Sequence, residues 1–225
     1  MKGLPVGRSH WSPTLVTSDG TFSVGPFLVY RIRDPKALRL GRLCLGLVIF
    51  GIALGLSVEA SLGVNPWTVL HGGIDKRTPI SIGTAVLLVG LTLLLLFPMM
   101  KQPIGIGTLL NIAVIGPVID LTLLVVPDLT TLPIRIAALA VAPMLIGVGS
   151  GFYIGAGLGP GPRDGIMTAL QRVGVPVWLA RSIVEASALG IGFVLGGDVG
   201  VGTVWMAGSV GFFVQFFLKR LRLGD

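Results

Sequence analysis

The string Gly155-Ala-Gly-Leu-Gly-Pro-Gly-Pro-Arg-Asp-Gly165 is the stretch of this sequence with the most chemical potential. Glycines at that density permit tight backbone turns, and Pro162 suits the first turn of a short helix running from Arg163 to Arg172. The free amides of such a helix start, set behind Gly159 and Gly161 and beside the Arg163 guanidinium, would suit an anion. A plainer role is open for the same residues. Arg163 and Asp164 would then cap the helix and face headgroups, an acidic side chain being favoured at a helix N-terminus. As a nucleotide motif the string is incomplete: G-x-G-x-x-G would need glycine where Pro160 stands, and no G-K-[ST] occurs.

A second polar interruption, Asn65-Pro66-Trp67-Thr68-Val69-Leu70-His71, offers amide, indole, hydroxyl and imidazole groups on another short helix. Asn65 and Trp67 are its solute-binding candidates, although Trp67 also fits the aromatic belt of a membrane interface. His71 has no second ligand at metal-binding spacing, so neither a metal site nor a cofactor is expected. Four charges fall within apolar runs, where burial costs several kcal/mol and a role facing the interior is the rule: Glu59, Asp120, Arg181 and Glu185. Arg181 and Glu185 stand one helical turn apart and can pair, either as an internal ion pair fixing helix packing or as a gate for solute or protons. Asp120, with Asn111 earlier in the same run, and Glu59, just before the first interruption, are proton-coupling candidates if they stay unpaired. No nucleophile set of the Ser/His/Asp or Cys/His kind and no HExxH is present, so enzymatic chemistry is not expected. The lone Cys44 supports no disulfide framework.

The elements that must hold these groups belong to a membrane protein. The 225 residues are 52% hydrophobic and 12% charged, with mean hydropathy +0.90, against about 25% charged residues in a soluble domain. The uncharged runs Ile80–Met100, Ile136–Pro162 and Val199–Leu218 each approach the ~20 residues that cross ~30 Å of hydrocarbon as a helix. They run apolar continuously rather than alternating, which argues against a transmembrane β-barrel. Six spans are expected: Arg42–Ser61, Ile80–Met100, Ile104–Val126, Pro133–Ala156, Val177–Gly196 and Val199–Leu218. Residues 1–38 read as a cytoplasmic N-terminal tail without a signal-peptide core, and residues 39–225 as the transmembrane domain. Within the tail, Thr21 to Tyr30 is apolar but too short to span, and reads as an interfacial segment.

The net charge of +7 answers topology rather than nucleic acid. The cluster Arg31, Arg33, Lys36, Arg39 and Arg42, together with Lys101, Arg163, Arg172, Lys219, Arg220 and Arg222, falls on one side, against Lys76, Arg77 and Arg135 on the other. By the positive-inside bias, both termini are cytoplasmic in a multi-pass protein. No nucleic-acid partner is expected; the lipid bilayer and a small solute are, and a homo-oligomer is left open.

The two halves resemble one another. At an offset of 96, Gly51 meets Gly147, Gly55 meets Gly151, Leu62-Gly63 meets Leu158-Gly159 and Pro66 meets Pro162. At an offset of 95, Gly105-Ile-Gly-Thr108 meets Gly200-Val-Gly-Thr203, and Asp120 meets Gln215, which cannot titrate. The reading is a duplication, repeat one over 39–127 and repeat two over 133–220, each a span, an interruption with a short helix, and two spans. Three spans per copy is odd, so the second copy is inverted, and the charge bias agrees. The expected fold is therefore all-α: six transmembrane helices in a 3+3 inverted repeat with two short interrupting helices. Broken segments at matching positions of inverted repeats point to a transporter-like site. Glycines spaced i, i+4, such as Gly51 and Gly55, read as packing seams.

The strings LGVNPWTVLHGGI, IGIGTLLN with GPVID, GLGPGPRDGIMTAL, ARSIVE and GGDVGVGTV resemble the YczE family of bacterial integral membrane proteins, loosely grouped with YyaS and YitT. The likeness covers roughly Arg39 to Arg220. It implies a polytopic protein of the bacterial inner membrane and carries the family's motif onto Pro66, Trp67, Gly159, Gly161, Pro162, Arg163, Asp164, Gly165, Arg181, Glu185 and Thr203. Family members carry an acidic residue after the Pro-Trp pair where this chain has Thr68, which puts an acidic role there in doubt. The leading expectation is a secondary transporter or exporter of a small solute, anionic if Arg163 meets it. The alternative is a non-transporting scaffold or regulatory protein that binds a partner protein or lipid.

Overall fold

The computed structural model describes residues 21–23, 29–31, 36–102 and 104–221. Where an interfacial segment is expected, strand β1 (Thr21–Ser23) pairs antiparallel with β2 (Val29–Arg31), Thr21 opposite Arg31. Phe22, Val29 and Tyr30 favour strands. The rest of the expected tail up to residue 35 lies outside the described residues.

Eight helices follow: α1 (Lys36–Glu59), α2 (Pro66–Arg77), α3 (Ile82–Leu96), α4 (Ile106–Val125), α5 (Leu132–Gly155), α6 (Pro162–Arg172), α7 (Val177–Val194) and α8 (Val201–Leu221). Both short helices expected at the interruptions form, each with proline at its first position. Four helices, α1, α4, α5 and α8, are long and apolar enough to cross a membrane, and a fifth span results if α2 and α3, bent by 114° at their junction, count as one. The six expected spans all fall on helices, but two are weaker than composition promised. α3 stops at Leu96, before a turn in which Gln102 N–H returns to the Phe97 carbonyl and Lys101 takes a positive φ of 51°. α7, with Arg181 and Glu185 inside its 18 residues, is not among the four.

Packing is centred on α1 and α5. α1 lies against α5 and α4, α5 against α8, α2 against α7 and α3, and α6 against α7 and α3. The α1–α5 crossing needs glycine: a Cβ at Gly46 would stand 2.6 Å from the Gly149 carbonyl oxygen, and one at Gly149 would stand 2.7 Å from that of Gly46. Small residues at such a seam let two backbones approach and gain dispersion contacts that lipid cannot supply. Leu43, Leu47, Phe50, Ile115, Ile119, Ile146, Tyr153 and Met206 fill the core around this crossing. A second cluster of Trp67, Leu70, Val184 and Ala188 holds α2 to α7.

The turns entering α2 and α6 have matching backbones. Ser61 and Gly157 take φ of +47° and +66°, and Gly63 and Gly159 take +102° and +123°. The N-cap residues Asn65 and Gly161 sit at φ, ψ of −65°, 159° and −63°, 161°. Each turn rests on a helix start from the other half of the chain. The Leu158 carbonyl accepts from Gly107 N–H at 2.7 Å and the Leu62 carbonyl from Gly202 N–H at 2.8 Å. Within those starts Gly105 N–H donates to the Thr108 hydroxyl at 3.3 Å and Gly200 N–H to that of Thr203 at 3.2 Å. Arg39 donates to the Ala156 carbonyl at 3.3 Å, and Arg135 donates to the carbonyls of Ala60 at 2.7 Å and Ser61 at 2.5 Å. A cation over the last carbonyls of a helix satisfies groups that have no partner within the helix.

Candidate functional site

The starts of α2 and α6 line a common cavity of about 70 Å³, whose remaining wall comes from α1, α3, α4 and α5. Phe50 and Leu54 wall it from α1, Val86, Val89 and Leu93 from α3, and Ile112 and Ile115 from α4. Its polar groups come from Asn65, Trp67, Thr68 and His71 on the first interruption, Asn111 on α4, Tyr153 on α5 and Arg163 on α6. A smaller cavity of about 20 Å³ shares Phe50, Leu54, Asn65, Trp67 and Arg163 and is completed by Ile146, Arg181, Glu185, Met206, Ala207 and Val210. Trp67 and Arg163 therefore stand in the walls of both.

These side chains are not equally available. Asn65 is spent on α2, its carbonyl oxygen accepting from the amides of Trp67 and Thr68, both at 3.1 Å, and its amide donating to the Thr68 hydroxyl at 2.8 Å. Trp67 is 9% exposed, and its indole N–H has no acceptor among the described residues. An unmade hydrogen bond on a buried donor costs about 1–3 kcal/mol, so this group has something to gain from a ligand. His71 is buried and tilted against the Trp67 ring, centroids 6.4 Å apart.

On α6 the cap position is empty of side chain. Gly161 makes no side-chain cap bond, and a Cβ there would stand 3.2 Å from Asp164 Oδ2 and 3.3 Å from Asn111 Nδ2. Asp164 accepts from the Tyr153 hydroxyl at 3.0 Å. The Arg163 guanidinium lies 5.6 Å from the centre of the Phe50 ring, and its ion-pair partner among the described residues is Asp164 Oδ1, at 4.0 Å. That separation is too long for a direct hydrogen bond. A half-buried guanidinium without a close acceptor, at the wall of a cavity and next to an uncapped helix start, can take up an anion.

The remaining expected residues fall elsewhere. Gly159 lines neither cavity; it shapes the turn and lies against Gly105 and Thr108. Arg181 and Glu185 do pair, at 3.1 Å, and face the smaller cavity. Asp120 is not unpaired. Its two oxygens accept from the Ser81 hydroxyl at 2.5 Å and from Gly83 N–H at 2.8 Å, so the carboxylate fixes the start of α3. Asn111, expected to accompany it, lines the cavity instead. Glu59 ends α1 and lines neither cavity. Among the described residues no three His, Cys, Asp or Glu side chains gather as metal ligands.

Sequence reasoning missed Tyr153 and the paired roles of Arg39 and Arg135. The signal for Tyr153 was present, since a tyrosine within an apolar span needs a partner for its hydroxyl. Arg39 and Arg135 also lie at an offset of 96, in register with the carbonyls of Ala60 and Ala156 that they cap.

The chain matches, over residues 37–219, the model of a family of unknown function, DUF6198. It is similar to a Haemophilus influenzae protein described as uncharacterized, with 41% identity over 79% of this chain and 82% of the relative. It is also similar to the Bacillus subtilis uncharacterized membrane protein YczE, with 33% identity over 78% and 83% of the two chains. The Bacillus subtilis protein YyaS is more distant, with 24% identity over 77% and 89%. No solved structure matches. Apolar helices of spanning length, a family match over nearly all of them and a membrane-protein relative lead to one conclusion: the chain belongs to the DUF6198 family, that of YczE, and is a membrane protein.

Proposed function

We propose that this protein is a secondary transporter or exporter of a small anionic solute in the bacterial cytoplasmic membrane, multi-pass and with both termini inside. The observation that carries the reading is Arg163, a cation without a close acceptor among the described residues, in the wall of a cavity that both broken segments line. Matching turn geometry at residues 61–65 and 157–161, with each turn seated on the other half of the chain, supports a 3+3 inverted repeat. Sites at the meeting point of broken helices in such repeats are the membrane counterpart of anion sites at helix starts. The solute would contact Arg163 and the amides of α6, with Trp67 and Asn111 closing the opposite wall. Arg181 and Glu185 would stay paired beneath it. Asp120 is a poor proton carrier in this picture, because releasing it would uncap α3.

The test is a thermal-shift screen of detergent-purified protein against anionic, zwitterionic and cationic metabolites, with Arg163→Ala alongside. A ligand at one hundred times its dissociation constant stabilises by about 2.7 kcal/mol. A shift with one class of anion, lost in the variant, supports the site and calls for flux assays in liposomes. The rival, a scaffold for a partner protein or lipid, draws support from Asp120 and Arg181 being spent on structure. It wins if no solute shifts the protein while Arg163→Ala lowers its melting temperature.

A further inference from the structure

From the chemistry of the cavity wall we infer that the solute is a small monocarboxylate with an apolar chain, rather than a phosphate, a dicarboxylate or an amino acid. The inference rests on the anion reading above and narrows it. Among the described residues Arg163 is the one Lys or Arg in the wall of the larger cavity, and Asp164 already stands 4.0 Å from it, so the site compensates at most one further negative charge. A planar guanidinium matches a carboxylate through two parallel hydrogen bonds, whereas a multiply charged anion calls for additional cations.

Much of the rest of the wall is apolar, with Val86, Val89, Leu93, Ile112 and Ile115 in it. Those side chains favour a hydrocarbon body, at about 0.8 kcal/mol for each methylene buried. Among the described residues the wall contains no carboxylate, and nearby Asp164 is engaged at Oδ2 by the Tyr153 hydroxyl and faces Arg163 with Oδ1. An ammonium group on the solute would therefore be buried without a partner, which is costly. The size of the cavity sets a further limit. Its 70 Å³, at roughly 10–15 Å³ per water-sized probe, admits a solute of a few heavy atoms.

The Arg181–Glu185 pair explains why the second cavity is not the site. There a guanidinium is already neutralised at 3.1 Å, and the volume of about 20 Å³ holds little more than a water.

The experiment is a binding series on the purified full chain in detergent, read by thermal shift and calorimetry, with formate, acetate, butyrate, isovalerate, leucine, succinate and inorganic phosphate. Affinity should rise about fourfold per methylene from acetate to butyrate, isovalerate should bind, and leucine, succinate and phosphate should not at equal concentration. Arg163→Lys, which keeps the charge and loses the fork, should weaken butyrate about tenfold. The chain-length series uses the unaltered protein, so it decides the matter even if the variant fails to fold. Equal binding of phosphate or leucine, or no gain from acetate to butyrate, overturns the monocarboxylate and leaves an anion site standing. Absence of binding by every anion tested overturns both.

Discussion

At the start of α2 the side chain of Asn65 holds the first free amides, and Trp67, Thr68, Val69, Leu70 and His71 are buried behind it. At the start of α6, on nearly the same backbone, Gly161 holds nothing, and only Pro162 and Gly165 of the helix are buried. The far ends differ as well. α2 is tied down by Lys76 to Asp198 at 2.7 Å and by Arg77 to the Leu195 carbonyl at 3.1 Å, while Arg172 at the end of α6 reaches the Lys101 carbonyl at 2.6 Å. One turn geometry thus serves two purposes. The first interruption is capped and packed as a fixed wall, and the second has no side-chain cap and sets Arg163 in the cavity wall. Loosely packed elements are the ones that can move at low cost, so α6 is the better candidate for the moving part.

The largest effect tests whether the two turns are equivalent. A side chain at Gly63 would stand 2.6 Å from Gly200 N, and one at Gly159 would stand 2.9 Å from the Gly105 Cα, both at positive φ. Gly63→Val and Gly159→Val should each cost about 4 kcal/mol, combining backbone strain with overpacking, measured by denaturant unfolding in micelles. Tolerance of one and not the other would break the equivalence.

Next in size is the contrast in ligand response. Arg163→Ala should remove the stabilisation of about 2.7 kcal/mol that a saturating anion confers. Asn65→Ala should keep that ligand response and lose about 1 kcal/mol of basal stability, as removal of an N-cap does. A ligand response abolished by Asn65→Ala and spared by Arg163→Ala would reverse the assignment of wall and site. The smallest effect is at the tethers. The Lys76–Asp198 pair is about half exposed or more, at 46% and 68%, so Lys76→Ala should cost no more than about 1 kcal/mol, and less as salt is raised. A larger loss in an unfolding titration would mean that this contact is part of the packed interface between α2 and α7.

Much of the scaffold was legible in the chain. Both interruptions, their prolines at the first helical position and the pairing of Arg181 with Glu185 could be read because each is local, set by spacing within a turn or two. The number of convincing spans was less secure, since α3 ends at Leu96 and α7 carries two charges, and apolar length alone does not say where a helix turns. Whether Asp120 stays unpaired could not be read from the chain, for the opposite reason. Its partners, Ser81 and the Gly83 amide, are 39 and 37 residues away in sequence, and nothing local announces such a cap.

The sequence by itself determined that this is a helical membrane protein with two similar broken segments, because hydropathy, glycine placement and charge bias are sums over local residues. Tertiary structure alone decided which polar groups were spent and which were left over. Asn65 and Arg163 look equally available in the chain, but Asn65 is used up on α2, whereas the Arg163 guanidinium stands at the cavity wall with Asp164 Oδ1 4.0 Å away and no closer acceptor among the described residues.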